Sequence, residues 1–429
     1  MKQKIILFTL ILTTCFSVVF AGENIKISSK SAVAMDAESG TILHDKDMNK
    51  KIYPASTTKI LTAILAIENV DLNKNVVVSD SALKIPWDSS RVYLKKGEIM
   101  SVKDLLYCLL LNSGNDAANV LAEAVSGDIP TFVKLMNIKL KELGCTNTNF
   151  TNAHGYSDDD HYTTALDMAK IFRYCIQNET FVKIISTKSY TVESTNKTKQ
   201  ERLLKNTNRL ILKKEDSVHA RFYEYCIGGK TGYTDEAGRT LVTFAKKDDK
   251  TVIAAIFGAS SSGSQDVRYT DAINLFEYSF NNYSKQLIVK AEDYNFNYIN
   301  TDKRLNYTIG LNENLDMLLK NNETPYVSYT INIDDTNIKV FDETNFQQVP
   351  AGTITFNITT DEQNSYTLTQ ELYLKDIQKY SLITNKNILP TIAIIAVILL
   401  VLFVITIIIV NRKKIVVINN KSRKNRRIK

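Results

Sequence analysis

Three short motifs constrain this chain more than anything else in it: Ser56-Thr57-Thr58-Lys59, Ser113-Gly114-Asn115 and Lys230-Thr231-Gly232. Read alone, the second is a helix break and the third a surface turn. Together, in this order, they supply a serine nucleophile, a neighbouring lysine base, a relay hydroxyl and a cationic anchor. A fold that uses them has to gather positions 56, 59, 113 and 230 around one pocket.

Local patterning shows how such a fold is assembled. Ala32-Val33-Ala34-Met35-Asp36 and Thr41-Ile42-Leu43-His44 flank Glu38-Ser39-Gly40, a hairpin signal. Pro54 precedes a helical run through Ile60, Leu61, Ile64 and Ile67, with Ser56 and Lys59 in its first turn. A second run starts at Ser101, packs Leu105, Leu106, Leu109 and Leu110, and breaks at Asn112-Ser113-Gly114. The helix resumes from Asp116 to Val125, and another spans Pro130 to Leu143 before Gly144. Residues 145–165 are loop-like, and 190–220 have no clear periodicity. Thr240–Phe244 and Val252–Phe257 alternate as a hairpin, and a closing helix covers about Asp266 to Phe280. Strands on both sides of a helical block predict an α+β fold whose antiparallel sheet is built from both ends of a domain, residues 22–284. Residues 285–384 read as a small all-β domain, with strands at Tyr326–Ile333, Asn337–Phe341, Thr353–Ile358 and Tyr366–Tyr373.

The formal charge of +7 suggests nucleic-acid binding until its location is considered. Lys2 and Lys4 open the chain, and Arg412, Lys413, Lys414, Lys421, Arg423, Lys424, Arg426, Arg427 and Lys429 close it, with no acid at either end. Without them the intervening chain is mildly acidic, so no nucleic-acid partner is expected. Residues 1–21 have the form of a secretory signal peptide: two lysines, an apolar run, and Val19-Phe20-Ala21 before the cut. Residues 388–410 carry no charge, long enough to span ~30 Å of hydrocarbon. The basic tail 411–429 that follows places that end in the cytoplasm. The expectation is a single-pass protein of the cell membrane with its catalytic domain outside. No C-x-x-C pair accompanies Cys108, Cys145, Cys175 and Cys226, and these thiols are expected to be mostly free.

The chemistry follows from the residue types. Ser56 and Lys59 at i, i+3 share a helix face. A serine hydroxyl needs a base to be nucleophilic, and a lysine at its ordinary pKa of ~10.4 is protonated at neutral pH. Burial and a second cation, Lys230, would convert Lys59 into that base. Ser113 gives and takes a proton, so it relays one to a leaving amine; Asn115 holds Lys59 or the substrate backbone. Lys230, Thr231 and Gly232 suit an exposed strand, cation and hydroxyl facing a carboxylate and glycine letting a peptide lie close. The backbone N–H groups of Ser56 and Tyr233 are placed to meet an oxyanion. His154 and His161 lack any cluster of metal ligands and read as structural.

Pro54-Ala55-Ser56-Thr57-Thr58-Lys59, Ser113-Gly114-Asn115-Asp116-Ala117 and Gly229-Lys230-Thr231-Gly232 resemble the low-molecular-mass penicillin-binding D-alanyl-D-alanine carboxypeptidases, peptidase family S11. His161-Tyr162-Thr163-Thr164-Ala165 and Asn206-Thr207-Asn208-Arg209-Leu210 extend the likeness, which covers about residues 28–280 and is nearest the membrane-anchored Gram-positive branch. The resemblance implies a penicillin-binding, serine β-lactamase-like domain. It implies that Ser56 attacks the bond between the two terminal D-alanines of a peptidoglycan stem peptide, forming an acyl-enzyme that water then hydrolyses. It also implies that Arg268, in Asp266-Val267-Arg268-Tyr269, helps hold the terminal carboxylate, that β-lactams inhibit as mimics, and that no cofactor is needed. A serine β-lactamase is the nearest alternative, although no Glu-x-x-Leu-Asn segment lies between the second and third motifs. A sensor that binds wall peptides or β-lactams without turnover is the other.

Overall fold

The computed structural model describes residues 25–262, 265–300, 305–334, 350–362, 364–379 and 394–407. Its centre is a five-stranded antiparallel sheet made from β1 (Ser31–Asp36), β2 (Ile42–Lys46), β3 (Cys226–Thr234), β4 (Gly238–Lys247) and β5 (Lys250–Ala259). The order β2-β1-β5-β4-β3 inserts the N-terminal hairpin beside the last strand, with Ala34 opposite Ala254. The sheet is therefore built from both ends of the domain, as the patterning predicts. Gly40 turns the first hairpin at φ +80°, and Lys247 pairs with Lys250 to close the β4–β5 turn. The last strand of the order, β3, leaves one edge unpaired by any strand among the described residues, and that edge carries the third motif.

Both faces of this sheet are covered, and strict alternation along β5 decides which residue goes where. Ile253, Ala255 and Phe257 join one apolar cluster, and Val252, Ala254 and Ile256 join the other. The first cluster holds the helical block: α1 (Lys59–Asn69), α2 (Val102–Leu110), α3 (Asn115–Ser126), α4 (Ile129–Glu142), α5 (Ala165–Cys175) and α6 (Glu179–Ser186). The second is capped by α7 (Val267–Asn282) through Tyr269, Leu275, Phe276 and Phe280. Each such side chain contributes about 1.5–3 kcal/mol on burial, so the two layers clamp the sheet. α1 is buried all round from Lys59 to Ala66, which puts a lysine in the middle of the protein. Side-chain caps start α2, α4, α5 and α6: the Ser101, Asp128, Thr164 and Asn178 oxygens accept from backbone N–H groups of the first turns. The aperiodic stretch 190–220 contains a hairpin, Ser189–Val192 with Arg202–Lys205, and a 3-10 turn at Arg209–Ile211. The four described cysteines are free thiols.

The chain divides into two compact units, one comprising Met1–Lys290, Glu313–Thr330 and Ile354–Thr369, the other Ala291–Asn312, Ile331–Thr353 and Gln370–Lys429. In the first, Tyr283–Val289 pairs antiparallel with Leu315–Lys320. In the second, Asn295–Asn300 pairs with Leu305–Gly310, which pairs in turn with the end of Ser365–Lys379. The strand segments expected at 326–333, 353–358 and 366–373 fall within Pro325–Ile333, Pro350–Thr360 and Ser365–Lys379. The segment Asn337–Phe341, the leader 1–21 and the basic tail 411–429 lie outside the described residues. Among the described residues no helix is long and apolar enough to cross a membrane. Of the run 388–410, residues 394–407 are described; they form a helix with exposed apolar side chains, among them Ile398, Leu400 and Phe403.

Candidate active site

The serine sits on a strained turn. Ala55 has φ +50°, and a 3-10 turn, Ala55–Thr58, carries Ser56 before α1 begins at Lys59. Gly155 packs so closely beneath that a β-carbon there would lie 1.8 Å from the Ala55 carbonyl oxygen, and its own φ is +85°. Glycine is therefore required at 155 for both reasons. A chain of hydrogen bonds pins the turn from the other side. The Thr151 N–H donates to His161 Nδ1 at 2.9 Å, which leaves the ring proton on Nε2. Nε2 is 2.9 Å from Thr58 Oγ1, which donates to the Ala55 carbonyl at 2.9 Å. Burial pushes both His154 and His161 down to about 3, so both rings are neutral. His161 thus links residue 151 to the serine turn, and His154 Nδ1 accepts from the Tyr156 N–H at 3.2 Å.

Lys59 is fully buried, with its Nζ 2.9 Å from Ser56 Oγ, 2.7 Å from Asn115 Oδ1 and 2.6 Å from the His154 carbonyl oxygen. Burial holds its pKa well below the usual lysine range; the Lys230 charge lowers it further, and Asp116 opposes both. The last two of the three neighbouring oxygens only accept. A neutral amine gives its two hydrogens to them and turns its lone pair to the Ser56 hydroxyl, the one neighbour with a proton to donate.

The second motif lies between α2 and α3. Ser113 is held at φ +61°, an uncommon conformation for a side-chain-bearing residue and one found at functional sites. Asp116 anchors the segment opposite by accepting from the Val92 and Leu94 N–H groups, and the Asn115 N–H donates to the Ser90 carbonyl. Across the gap, Lys230 Nζ is 3.1 Å from Ser113 Oγ and 2.7 Å from the Thr231 carbonyl oxygen. Burial, and then the Arg268 charge, push Lys230 down to about 7. Gly232 brings the strand against the serine: a β-carbon there would be 2.9 Å from the Ser56 amide nitrogen and 2.4 Å from Thr240 Oγ1. Thr231 Oγ1 donates to Thr207 Oγ1 at 2.7 Å. Positions 56, 59, 113, 115, 230, 231 and 232 are thus brought together.

Tyr233 and Arg268 complete the expected set. Tyr233 lies on β3 with its side chain more than half exposed and its hydroxyl on Asp235. Arg268 reaches the cleft, but its Nε and Nη2 hold Asp266 and its Nη1 donates to the carbonyls of Gly232 and Thr240, each at 3.2 Å. The cleft has a volume of about 710 Å³, and Ser56, Ser113, Asn115, Thr231 and Arg268 are among the residues that line it. Its wall also includes Tyr156, Thr207 and Arg209, to which the residue-by-residue reading gave no role. Residue types gave no signal for the His154 carbonyl, because a backbone oxygen is present at every position.

Residues 18–261 match the D-alanyl-D-alanine carboxypeptidase family, peptidase S11. Among curated proteins, the chain is 37% identical over 267 residues to the D-alanyl-D-alanine carboxypeptidase DacF of Bacillus subtilis, covering 61% of this chain and 64% of that protein. It is 34% identical to DacB2 of Mycobacterium tuberculosis over 58% of this chain and 81% of the other. The chain spans less than two thirds of the Bacillus relative's length. Among solved structures, penicillin-binding protein 5 of Haemophilus influenzae matches with a TM-score of 0.62 and 26% identity, over 82% of this chain and 98% of that one. A D-alanyl-D-alanine carboxypeptidase of M. tuberculosis matches with a TM-score of 0.54 and 31% identity, over 60% and 92%. The fold is the α+β architecture of penicillin-binding proteins and serine β-lactamases. Within that class, the chain belongs to the peptidase S11 D-alanyl-D-alanine carboxypeptidase family.

Proposed function

We propose that this protein is a serine D-alanyl-D-alanine carboxypeptidase that trims peptidoglycan stem peptides through a Ser56 acyl-enzyme, limiting the donors left for cross-linking. One observation carries the reading: Ser56 Oγ lies 2.9 Å from the Nζ of a fully buried lysine whose pKa is held low. Lys59 takes the hydroxyl proton as Oγ attacks the carbonyl of the penultimate D-alanine. The developing oxyanion is met by the N–H groups of Ser56 and Tyr233, at the start of a helical turn and on a free strand edge. Ser113, in contact with Lys230, passes the proton to the departing amine of D-alanine. Asn115 orients Lys59, while Gly232 lets the peptide lie along β3 as an added strand. Lys230, Thr231 and Arg268 make this end of the cleft attractive to the substrate carboxylate. Water then hydrolyses the ester. Every step uses side chains and backbone of this chain, without a cofactor.

β-Lactams enter the same site as mimics and acylate Ser56. The long uncharged run 388–410 followed by Arg412-Lys413-Lys414, together with the leader-like residues 1–21, supports a protein exported and then held to the cytoplasmic membrane by its C-terminal end. Among the described residues after 285 no constellation of catalytic groups is found, and this β-rich part serves as a spacer. Incubation with diacetyl-L-Lys-D-Ala-D-Ala tests the activity. Release of D-alanine by the wild type, lost in Ser56→Ala, is the expected result. Rapid penicillin turnover instead identifies a β-lactamase, and stable labelling without D-alanine release a sensor.

A further inference from the structure

The rim of the cleft carries a side chain that the chemistry at Ser56 does not use. Trp87, the chain's single tryptophan, is 89% exposed. Its support is firm. Arg91 folds back, and its Nη2 donates to the carbonyls of Pro86 and Trp87 at 2.6 Å and 2.8 Å, while Ser89 Oγ donates to the Pro86 carbonyl at 2.7 Å. Pro86 has its own φ fixed by its ring. The Ser90 carbonyl accepts from the Asn115 N–H, and Asp88 accepts from the Tyr156 hydroxyl at 3.3 Å. The turn 86–90 is thereby tied to the second motif on one side and to the cleft wall on the other. The indole N–H has no acceptor among the described residues, so it is left to donate outward. A wide aromatic face held in water by a rigid loop is the kind of anchor that a binding partner covers.

Trp87 also stands at a particular end of the cleft. Asp88, Ser89 and Ser90, next to it in sequence, line the cavity that holds Ser56. With the substrate's carboxylate near Thr231 and the scissile bond beside Gly232, a peptide laid antiparallel on β3 carries its earlier residues toward Thr234, Asp235 and Glu236. Ser157 Oγ joins that end of the cleft to Thr234 Oγ1 at 2.9 Å and to Glu236 at 2.7 Å, and the adjacent Tyr156 reaches Asp88. The turn bearing Trp87 therefore borders the end by which the rest of the substrate leaves the cleft. In peptidoglycan that outer part of the stem peptide is joined to a strand of N-acetylated amino sugars.

Charge and shape narrow the occupant. Asp88, Asp235 and Glu236 line this end of the cleft, and Asp158, Asp159 and Asp160 follow Ser157 in sequence. An acidic rim repels the headgroups of anionic lipids, whereas carboxylates accept readily from the hydroxyl and amide hydrogens of a neutral sugar. The negative face of an indole complements the C–H face of a pyranose ring. Building on the carboxypeptidase reading, we infer that Trp87 is a stacking platform for the glycan strand of the substrate, continuous with the cleft that receives the stem peptide. A stem still attached to its sugar then has a second hold on the enzyme, so the protein favours wall material over free peptide.

Because the chain has one tryptophan, its indole fluorescence comes from position 87 alone. Full-length Ser56→Ala is titrated with N-acetylglucosaminyl-N-acetylmuramyl pentapeptide, L-lysine third and D-Ala-D-Ala last, and with the same pentapeptide free of sugar. A saturable change in Trp87 emission with the first and none with the second is the expected result. In turnover, W87A is expected to lose about 5- to 30-fold in kcat/KM on the disaccharide pentapeptide, mainly through KM, and to stay within about twofold of wild type on the free pentapeptide. W87F keeps a ring and should recover part of the loss. Equal losses on both substrates place the indole on the stem peptide, and an emission change caused by phosphatidylglycerol vesicles but not by the sugar places it on a lipid surface. Either result overturns the assignment, as does an unchanged W87A. Failure of the carboxypeptidase reading looks different: the wild type then releases no D-alanine from either pentapeptide, while the titration still reports whether the sugar is bound.

Discussion

The central sheet and the strands after residue 290 are both antiparallel, yet they are built on opposite terms. Six consecutive residues of β5 and six of β4 are buried, because helices cover both faces. Pro325–Ile333 is almost entirely exposed or half-exposed, and Pro350–Thr360 alternates buried with exposed positions over much of its length. Only the first arrangement holds a backbone to a fraction of an ångström on both sides, as the Gly232–Ser56 and Gly155–Ala55 approaches require. A one-faced sheet folds on apolar alternation alone and leaves its wet side free to vary. The chemistry accordingly sits on the edge of the clamped sheet.

The sharpest break comes from the reacting groups. Ser56→Ala and Lys59→Arg are each expected to lower acylation by fluorescent penicillin at least about a thousandfold, with near-native circular dichroism. Arginine stays protonated, so an acylating Lys59→Arg protein would remove the lysine-base mechanism. Next in size is Gly155→Ala, whose β-carbon meets the Ala55 carbonyl. Labelling should fall about a hundredfold through displacement of Ser56, and a variant that labels normally shows that the turn is not braced as described. Packing sharpens the contrast between the sheets: Phe257→Ala is expected to cost about 3–5 kcal/mol in chemical denaturation. Tyr326→Ala, at an exposed position, should stay within about 0.5 kcal/mol and leave kcat unchanged.

The smallest effects are those of pH. Acylation needs neutral Lys59, so its rate should rise with pH through that residue's depressed pKa and then level off. Lys230 titrates at about 7 when folded and near ~10.4 when unfolded. Between those values the unfolded chain binds the extra proton, so this group makes stability rise with pH; the contribution is lost as pH falls toward 7. Denaturation of Ser56→Ala between pH 7.5 and 9.5 should have a steeper positive pH slope than the same protein with Lys230→Met. Equal slopes contradict the burial of a titrating Lys230.

What the sequence revealed divides along the same line. The β4–β5 hairpin, the N-terminal hairpin and the helix start at Ser101 depend on neighbours a few residues apart, and local chemistry was enough for them; the helix that begins after Thr164 was not read from the sequence. The three motifs were readable because side-chain chemistry at positions 56, 59, 113 and 230 is rare in combination. The rest rests on long-range approach. Gly155 looks like any loop glycine until the Ala55 carbonyl is seen beneath it, and the His154 carbonyl has no sequence signature. Arg268 matched its motif, but its engagement with Asp266 and two carbonyls depends on where α7 meets β3. Residues 190–220 lacked periodicity because they form short irregular pieces held by partners such as Asn206 and Asn208, whose side chains bond the backbone at Ile185 and the Thr243 hydroxyl.

The place of β1 in the sheet has a consequence for synthesis. Ala34 can find Ala254 only after β5 has been made, so the strands flanking β5 come from opposite ends of the chain synthesised by then. Such distant pairing is slow to form, and the three motifs meanwhile belong to an unclosed polymer. The hydroxyl at 56 thus acquires its reactivity late, as a property of the finished sheet, and a ribosome-bound fragment ending before β5 should be inert toward penicillin.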